Sequence, residues 1–164
     1  MKGILLCSLM ALMTVVATAQ DANYTAGNEG WLVDLDEAYA RSKAENKPIM
    51  ANFTGSDWCG WCKRLTASVF SQPEFKAWAE DNVVLLELDF PRRKQLPSKY
   101  QQQNFSLQQA FKITGYPTIW VFDLDRNPDS GKYQIDPLGK TGYAPSVNEF
   151  TGAVDKMIAR RGNS

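Results

Sequence analysis

Two cysteines three positions apart, in Trp58-Cys59-Gly60-Trp61-Cys62-Lys63, are the residues of this chain best suited to chemistry. At that spacing two thiols can close a ring across one helical turn. Cys59 falls where a helix would begin, and there unpaired backbone N–H groups and the positive end of the helix dipole favour a thiolate. Cys59 is therefore the expected nucleophile. Cys62, one turn further in and more shielded, would attack a mixed disulfide formed at Cys59. The chemistry implied is thiol–disulfide exchange, with the Cys59–Cys62 disulfide as the redox-active group and no other cofactor or metal expected. A structural bridge is the plain alternative in an exported chain, but so small a loop removes little unfolded-state entropy.

The remaining composition narrows the field. The 164 residues include no histidine, which removes Ser-His and Cys-His catalysis, haem ligation by histidine and nearly every mixed His/Cys zinc site. Lysine plus arginine and aspartate plus glutamate each number 18, so no electrostatic footprint points to nucleic acid or an acidic lipid surface. The third cysteine, Cys7, lies in the apolar run Gly3 to Ala17, behind Lys2 and ahead of Ala17-Thr18-Ala19. That pattern reads as an export signal cut after Ala19. Residues 1–19 are expected to be removed, Cys7 with them, leaving a soluble periplasmic protein. The run is short for a membrane span, no later apolar stretch reaches ~18 residues, and stable membrane insertion is not expected. Residues 20–30 are small and polar and read as a flexible lead-in; 31–164 suit one domain.

The elements that must position the cysteines follow from hydrophobic spacing. Trp31 to Asn46 carries Leu32, Leu35, Ala38, Tyr39 and Ser42 at helical intervals and stops at Asn46-Lys47-Pro48. Ile49 to Phe53 is a strand candidate, and Thr54-Gly55-Ser56-Asp57 is the turn that delivers Trp58 and Cys59 to a helix reaching towards Val69. A second helical piece starts at Pro73 and ends near Asn82, with Phe75, Trp78 and Ala79 facing inward. Val83 to Phe90 is nearly continuously apolar, as expected of a strand buried on both faces. The basic loop Pro91 to Pro97 reads as solvated, and Ser98 opens a glutamine-rich helix reaching Ile113, with Tyr100, Phe105, Leu107, Ala110 and Phe111 available for burial. Ile119 to Phe122 and Tyr133 to Leu138 form a hairpin about a polar turn, and Ser146 to Arg160 is a last amphipathic helix with Val147, Phe150, Val154 and Ile158 in one stripe. The order predicts an α/β fold: a mixed sheet of about four to five strands with helices on both faces.

This order, with Trp-Cys-Gly-x-Cys-Lys after the first core strand and Gly115-Tyr116-Pro117-Thr118 before the hairpin, resembles the thioredoxin superfamily from about Trp31 to Arg160. Phe53 to Cys59, Asp89-Phe90-Pro91 and Leu96-Pro97 followed by Gln103-Asn104 are similar to exported bacterial thioredoxin-like proteins related to the C-terminal domain of DsbD. The resemblance implies that Pro117 is cis and lies beside Cys59, with the Tyr116 backbone offered to a substrate strand. It further implies that Trp58, Gly60, Trp61, Tyr116 and the Gly142-Tyr143 loop surround the thiol pair as a docking surface for protein substrates; Trp58 could equally pack under the turn. Thioredoxins carry a buried aspartate on the strand before the motif, where Asn52 stands here, and asparagine takes up no proton at neutral pH. Water is the favoured proton acceptor for Cys62, with Asp57 and Glu87 as the carboxylate candidates.

With no cation in the Gly60-Trp61 dipeptide, stabilisation of a Cys59 thiolate rests on the helix terminus, which makes a weak oxidant. A protein-disulfide reductase or isomerase is the expected function. A net oxidase, or a peptide-binding or chaperone module with an incidental redox pair, are the alternatives. No nicotinamide motif is present, so a separate membrane-bound electron donor is expected.

Overall fold

The computed structural model describes residues 24–161, so the expected export signal at 1–19 lies outside them. Helix α1 (Leu35–Glu45) leads into strand β1 (Ile49–Thr54), and helix α2 (Gly60–Leu65) continues as a π-helical turn, Thr66–Phe70. Then come helix α3 (Pro73–Asn82), strand β2 (Val84–Asp89), helix α4 (Ser98–Ala110), strands β3 (Thr118–Arg126) and β4 (Tyr133–Thr141), and helix α5 (Val147–Ile158). The sheet order is β2-β1-β3-β4, with β1 parallel to β2 and antiparallel to β3, and β4 antiparallel to β3. The mixed α/β sheet is thus the one expected.

Strand β1 is central and buried along its whole length. Its alternate residues serve opposite faces. Ile49, Ala51 and Phe53 pack with Leu35, Ala38, Leu107, Phe111 and Phe122 beneath α1 and α4. Met50 faces the other way, into the core built with Leu65, Phe70, Phe75 and Phe150 from α2, the π-helical turn, α3 and α5. In β2, Val84, Leu86 and Leu88 join the first core while Leu85 packs against the second. Glu87 shares that second face, opposite Asn52 in the parallel register.

Four local expectations are corrected. Residues 31–33 are not helical: Leu32 bridges to Leu86, with its N–H on the Leu85 carbonyl at 3.0 Å and its carbonyl receiving the Glu87 N–H at 2.8 Å. The helix starts later because the Asp34 side chain caps it, accepting from the N–H groups of Asp36 and Glu37. Helix α4 ends at Ala110, short of Ile113; Ala110 is exposed and Phe105 is 55% exposed, because Tyr100, Asn104 and Leu107 define the buried face and Phe105 sits one step round the helix from Asn104. Both hairpin strands are longer than expected: the first runs past Phe122 to Arg126, paired with the second over that stretch, and the second runs on from Leu138 to Thr141, which carries the chain back to the pole of the cysteines.

The fourth correction concerns the lead-in, whose described part, residues 24–30, is a docked strap. The Glu87 carboxylate receives the Gly27 N–H at 2.6 Å, the Asn28 side-chain amide at 2.6 Å and the Asn28 N–H at 3.3 Å. The Tyr24 ring lies 4.9 Å from that of Tyr100. A buried carboxylate requires such donors, and a distant polar segment supplies them.

Candidate active site

The register of the sheet decides which loops meet. Phe53 of β1 stands opposite Thr118 of β3, and Ile119 of β3 opposite Thr141 of β4. The turn after β1, the entry to β3 and the exit of β4 therefore lie at one pole. They carry Trp58 to Cys62, Tyr116-Pro117 and Gly142-Tyr143 respectively.

Cys59 is the N-cap of α2 and Cys62 lies in its first turn. The two are joined in a disulfide with a Cα–Cα separation of 5.3 Å. Cys59 Sγ also accepts the Cys62 N–H at 3.2 Å, so the helix terminus donates to the sulfur expected to carry negative charge. Both sulfur-bearing residues are largely covered, at 5% and 4% exposure.

The preceding turn is held from several sides. The Gly55 carbonyl receives the N–H groups of Trp58 and Cys59, at 3.3 and 2.8 Å. A Cβ on Gly55 would come within 2.5 Å of the Trp58 ring, so glycine is needed for this close approach. Trp58 itself is anchored: its indole N–H donates to the Phe90 carbonyl at 2.8 Å, its ring meets Tyr116 edge-on at 5.6 Å, and the Arg92 guanidinium covers it at 3.8 Å. The geometry therefore gives Trp58 the packing role that sequence left open beside docking. Asp57 accepts the N–H groups of Arg92 and Arg93, and these hold its carboxyl below the usual carboxylate range. Ser56 donates through N–H and hydroxyl to the buried Asp89, at 2.8 and 2.6 Å, and Lys94 pairs with the same carboxylate at 3.1 Å. The basic loop is thus tied to the cysteine turn.

The Tyr116–Pro117 peptide is cis. Tyr116 is half-buried, its hydroxyl receiving the Gln108 side-chain amide at 2.6 Å; burial pushes its phenol up despite that donor and Arg92. A Cβ on Gly142 would lie 3.6 Å from the Pro117 carbonyl, so this loop sits directly against the cis proline. The Trp61 and Tyr143 rings meet edge-on at 4.9 Å, with the Arg64 guanidinium 4.7 Å from Trp61. Trp61 and Tyr143 are 53% and 39% exposed. Gly60 is also exposed and has open space around it.

Sequence reasoning did not foresee the contact of Arg92 with Trp58, the Gln108 donor to Tyr116, or the strap on Glu87. Only the last left a trace, as a single carboxylate inside the apolar run Val83 to Leu88. Asn52 is 2% exposed, and its side-chain oxygen has no hydrogen-bond partner among the described residues.

A disulfide across the first turn of a helix, at the same pole of a mixed four-stranded sheet as a cis proline and an exposed aromatic pair, defines a thioredoxin-fold protein of the Cys-x-x-Cys class. Residues 35–130 match the Thioredoxin-like domain family, and the chain belongs to it. It is 33% identical over 111 residues to "Disulfide bond reductase DsbH" of Chlamydia pneumoniae, covering 68% of this chain and 66% of that protein. It is 34% identical over 97 residues to "Thiol:disulfide interchange protein DsbD" of Vibrio vulnificus, covering 59% of this chain but only 15% of that one. The solved structure "DsbH Oxidoreductase" superposes with a TM-score of 0.68 at 29% identity, over 94% of this chain and 96% of the other. A thioredoxin from Thermus thermophilus shares the fold, with a TM-score of 0.56 at 18% identity over 79% of this chain and 88% of that one. Among the described residues no helix is long and apolar enough to cross a membrane.

Proposed function

We propose that this chain is a thiol–disulfide oxidoreductase that reduces or isomerises protein disulfides after export to the periplasm. The observation that carries this is the Cys59–Cys62 disulfide at the start of α2, with Cys59 Sγ on the Cys62 N–H. Cys59 attacks a substrate disulfide, the mixed disulfide lies against Tyr116-Pro117 and the Trp61–Tyr143 pair, and Cys62 resolves it. The dithiol carries the two electrons, so the reaction needs no bound cofactor. A separate membrane-bound donor returns the oxidised protein to the dithiol.

The reductive direction is supported by the weak stabilisation of a Cys59 thiolate. No side-chain cation lies between the cysteines, and the nearby Arg64 sits on the Trp61 ring. It is also supported by the name of the DsbH relative.

Equilibration of Cys59–Cys62 with a dithiol buffer tests the direction. A potential near thioredoxin's, about −270 mV, fits a reductant; one near −120 mV would make the protein a disulfide donor, about 7 kcal/mol away on the scale of about 1.4 kcal/mol per 30 mV. Cys59→Ser is expected to abolish reduction of a protein disulfide, and Cys62→Ser to accumulate mixed disulfides visible on a non-reducing gel. An active Cys59→Ser protein would sink the assignment.

A further inference from the structure

Resolution requires Cys62 as a thiolate, yet Cys62 is 4% exposed, and a thiol in that setting resists ionisation in place. The oxygen of Asn52 nearby on β1 accepts no proton at neutral pH, and the Asp57 oxygens are engaged by the Arg92 and Arg93 N–H groups. One other carboxylate reaches the same space. A cavity of about 210 Å³ has Cys62, Lys63 and Thr66 on one side and Glu87, Gly27 and Asn28 on another. Among the described residues Glu87 is the sole carboxylate in its wall, and at about 30 Å³ per water the space admits several molecules.

We propose that Glu87 takes the proton from Cys62 during resolution, through water in this cavity, while the Gly27–Asn28 strap holds its carboxylate in place. The inference rests on the oxidoreductase reading and adds the residue that moves the proton. It also replaces the expectation that water alone serves Cys62. In the step, the Cys62 S–H proton passes to the Glu87 carboxylate and the thiolate attacks Cys59 Sγ. The Cys59–Cys62 bond forms, and the bond from Cys59 to the partner breaks with its electron pair on the partner's sulfur. The partner leaves reduced by two electrons, the dithiol is oxidised by two, and Glu87 returns its proton to solvent. Run backwards, the neutral Glu87 protonates Cys62 as it leaves.

The surroundings favour a carboxylate that takes up a proton more readily than an exposed one. Burial pushes the Glu87 carboxyl up, the Gly27 and Asn28 donors oppose that, and Asp89 on the same strand raises it further. The other ionisable groups facing it are Tyr24 of the strap, and Cys62 and Lys63 across the cavity; Lys94 reaches the region through its pair with Asp89. From β1 the neighbour is neutral Asn52.

The test follows the rate at which the reduced full-length protein reduces a peptide disulfide, against pH, for the wild type, E87Q, E87D and the double variant N52D/E87Q. A general base contributes about 10²–10⁴-fold, so E87Q is expected to be at least about tenfold slower near pH 7, with a rate that climbs with hydroxide. E87D, and N52D/E87Q with a carboxylate restored across the register, should recover most of the loss. E87Q with the wild-type rate and pH profile would overturn the proposal. Should E87Q not fold, N28A keeps the carboxylate and removes one donor to it. Its pH inflection should then move upward, and an unmoved inflection would equally overturn the proposal. Titration of Cys62 by thiolate absorbance in Cys59→Ser, with and without E87Q, gives a reading free of turnover. Two coupled steps collapsing to one with E87Q are expected; identical curves count against Glu87. Failure of the oxidoreductase reading looks different, since the wild type itself would then reduce nothing.

Discussion

At the scale of single residues, the two tryptophans beside the cysteines divide the labour. Trp58 is tied by its indole N–H, by Tyr116 and by Arg92, whereas Trp61 meets Tyr143 and Arg64 and leaves half its surface to solvent. Exposed aromatic pairs of this kind anchor partners at interfaces. Trp61→Ala is expected to lower kcat/KM for a protein disulfide about tenfold, on the order of 1.4 kcal/mol. Glutathione disulfide, with far less surface to bury on the Trp61–Tyr143 pair, should lose less, and the urea midpoint should move by less than about 1 kcal/mol equivalent. Equal losses towards both disulfides would place Trp61 in the chemistry and not in docking. The exposure of Trp61 was legible from its place between the cysteines. The anchoring of Trp58 was not, because Phe90 and Arg92 arrive from a loop more than thirty residues away, and no local pattern encodes that meeting.

Among the elements, α1 shows how a cap outweighs periodicity. Leu32 and Leu35 stand three apart, a spacing that helix and bridge-then-helix satisfy alike, and Asp34 decides between them by capping at Leu35. Burial works against ionisation of Asp34, but the Lys99 ammonium and the N–H groups of Glu37 and Asp36 outweigh it and hold its carboxyl below the ordinary value. The sign follows directly: with the folded value depressed, the contribution is present above about pH 4 and fades as pH falls through the lower, folded value. Asp34→Ala should cost about 1 kcal/mol at neutral pH, read from urea unfolding. Asp34→Asn retains an acceptor, so its deficit should shrink on acidification below about pH 4. The glutamine-rich α4 was harder to read, since its apolar residues are few and Phe105 interrupts the face marked by Tyr100, Asn104 and Leu107. Asn104 is the informative member, buried because its side-chain amide reaches the Asp89 carbonyl at 3.0 Å, a long-range use that its polarity conceals.

For the molecule as a whole, one sheet serves two cores, and β1 contributes to both through its alternation. Phe150 sits in the second, edge-on to Phe70 at 5.3 Å and to Phe75 at 5.9 Å, and is fully buried. Phe150→Ala should cost about 3–5 kcal/mol, and circular dichroism and tryptophan emission should still report one coincident urea transition, because the shared sheet couples both cores. The fold class was readable from strand and helix order because the apolar runs are strong and turn residues separate them. The docked strap was not, since a short polar segment carries no periodicity. Strand β3 also gives the molecule a direction. It starts at Thr118, beside the cis proline, and ends at Arg126, about 27 Å away at 3.4 Å per residue. The hairpin tip at residues 127–132 is therefore the far pole, and a protein immobilised or fused there would keep its sulfur pair facing outward, free to meet large partners.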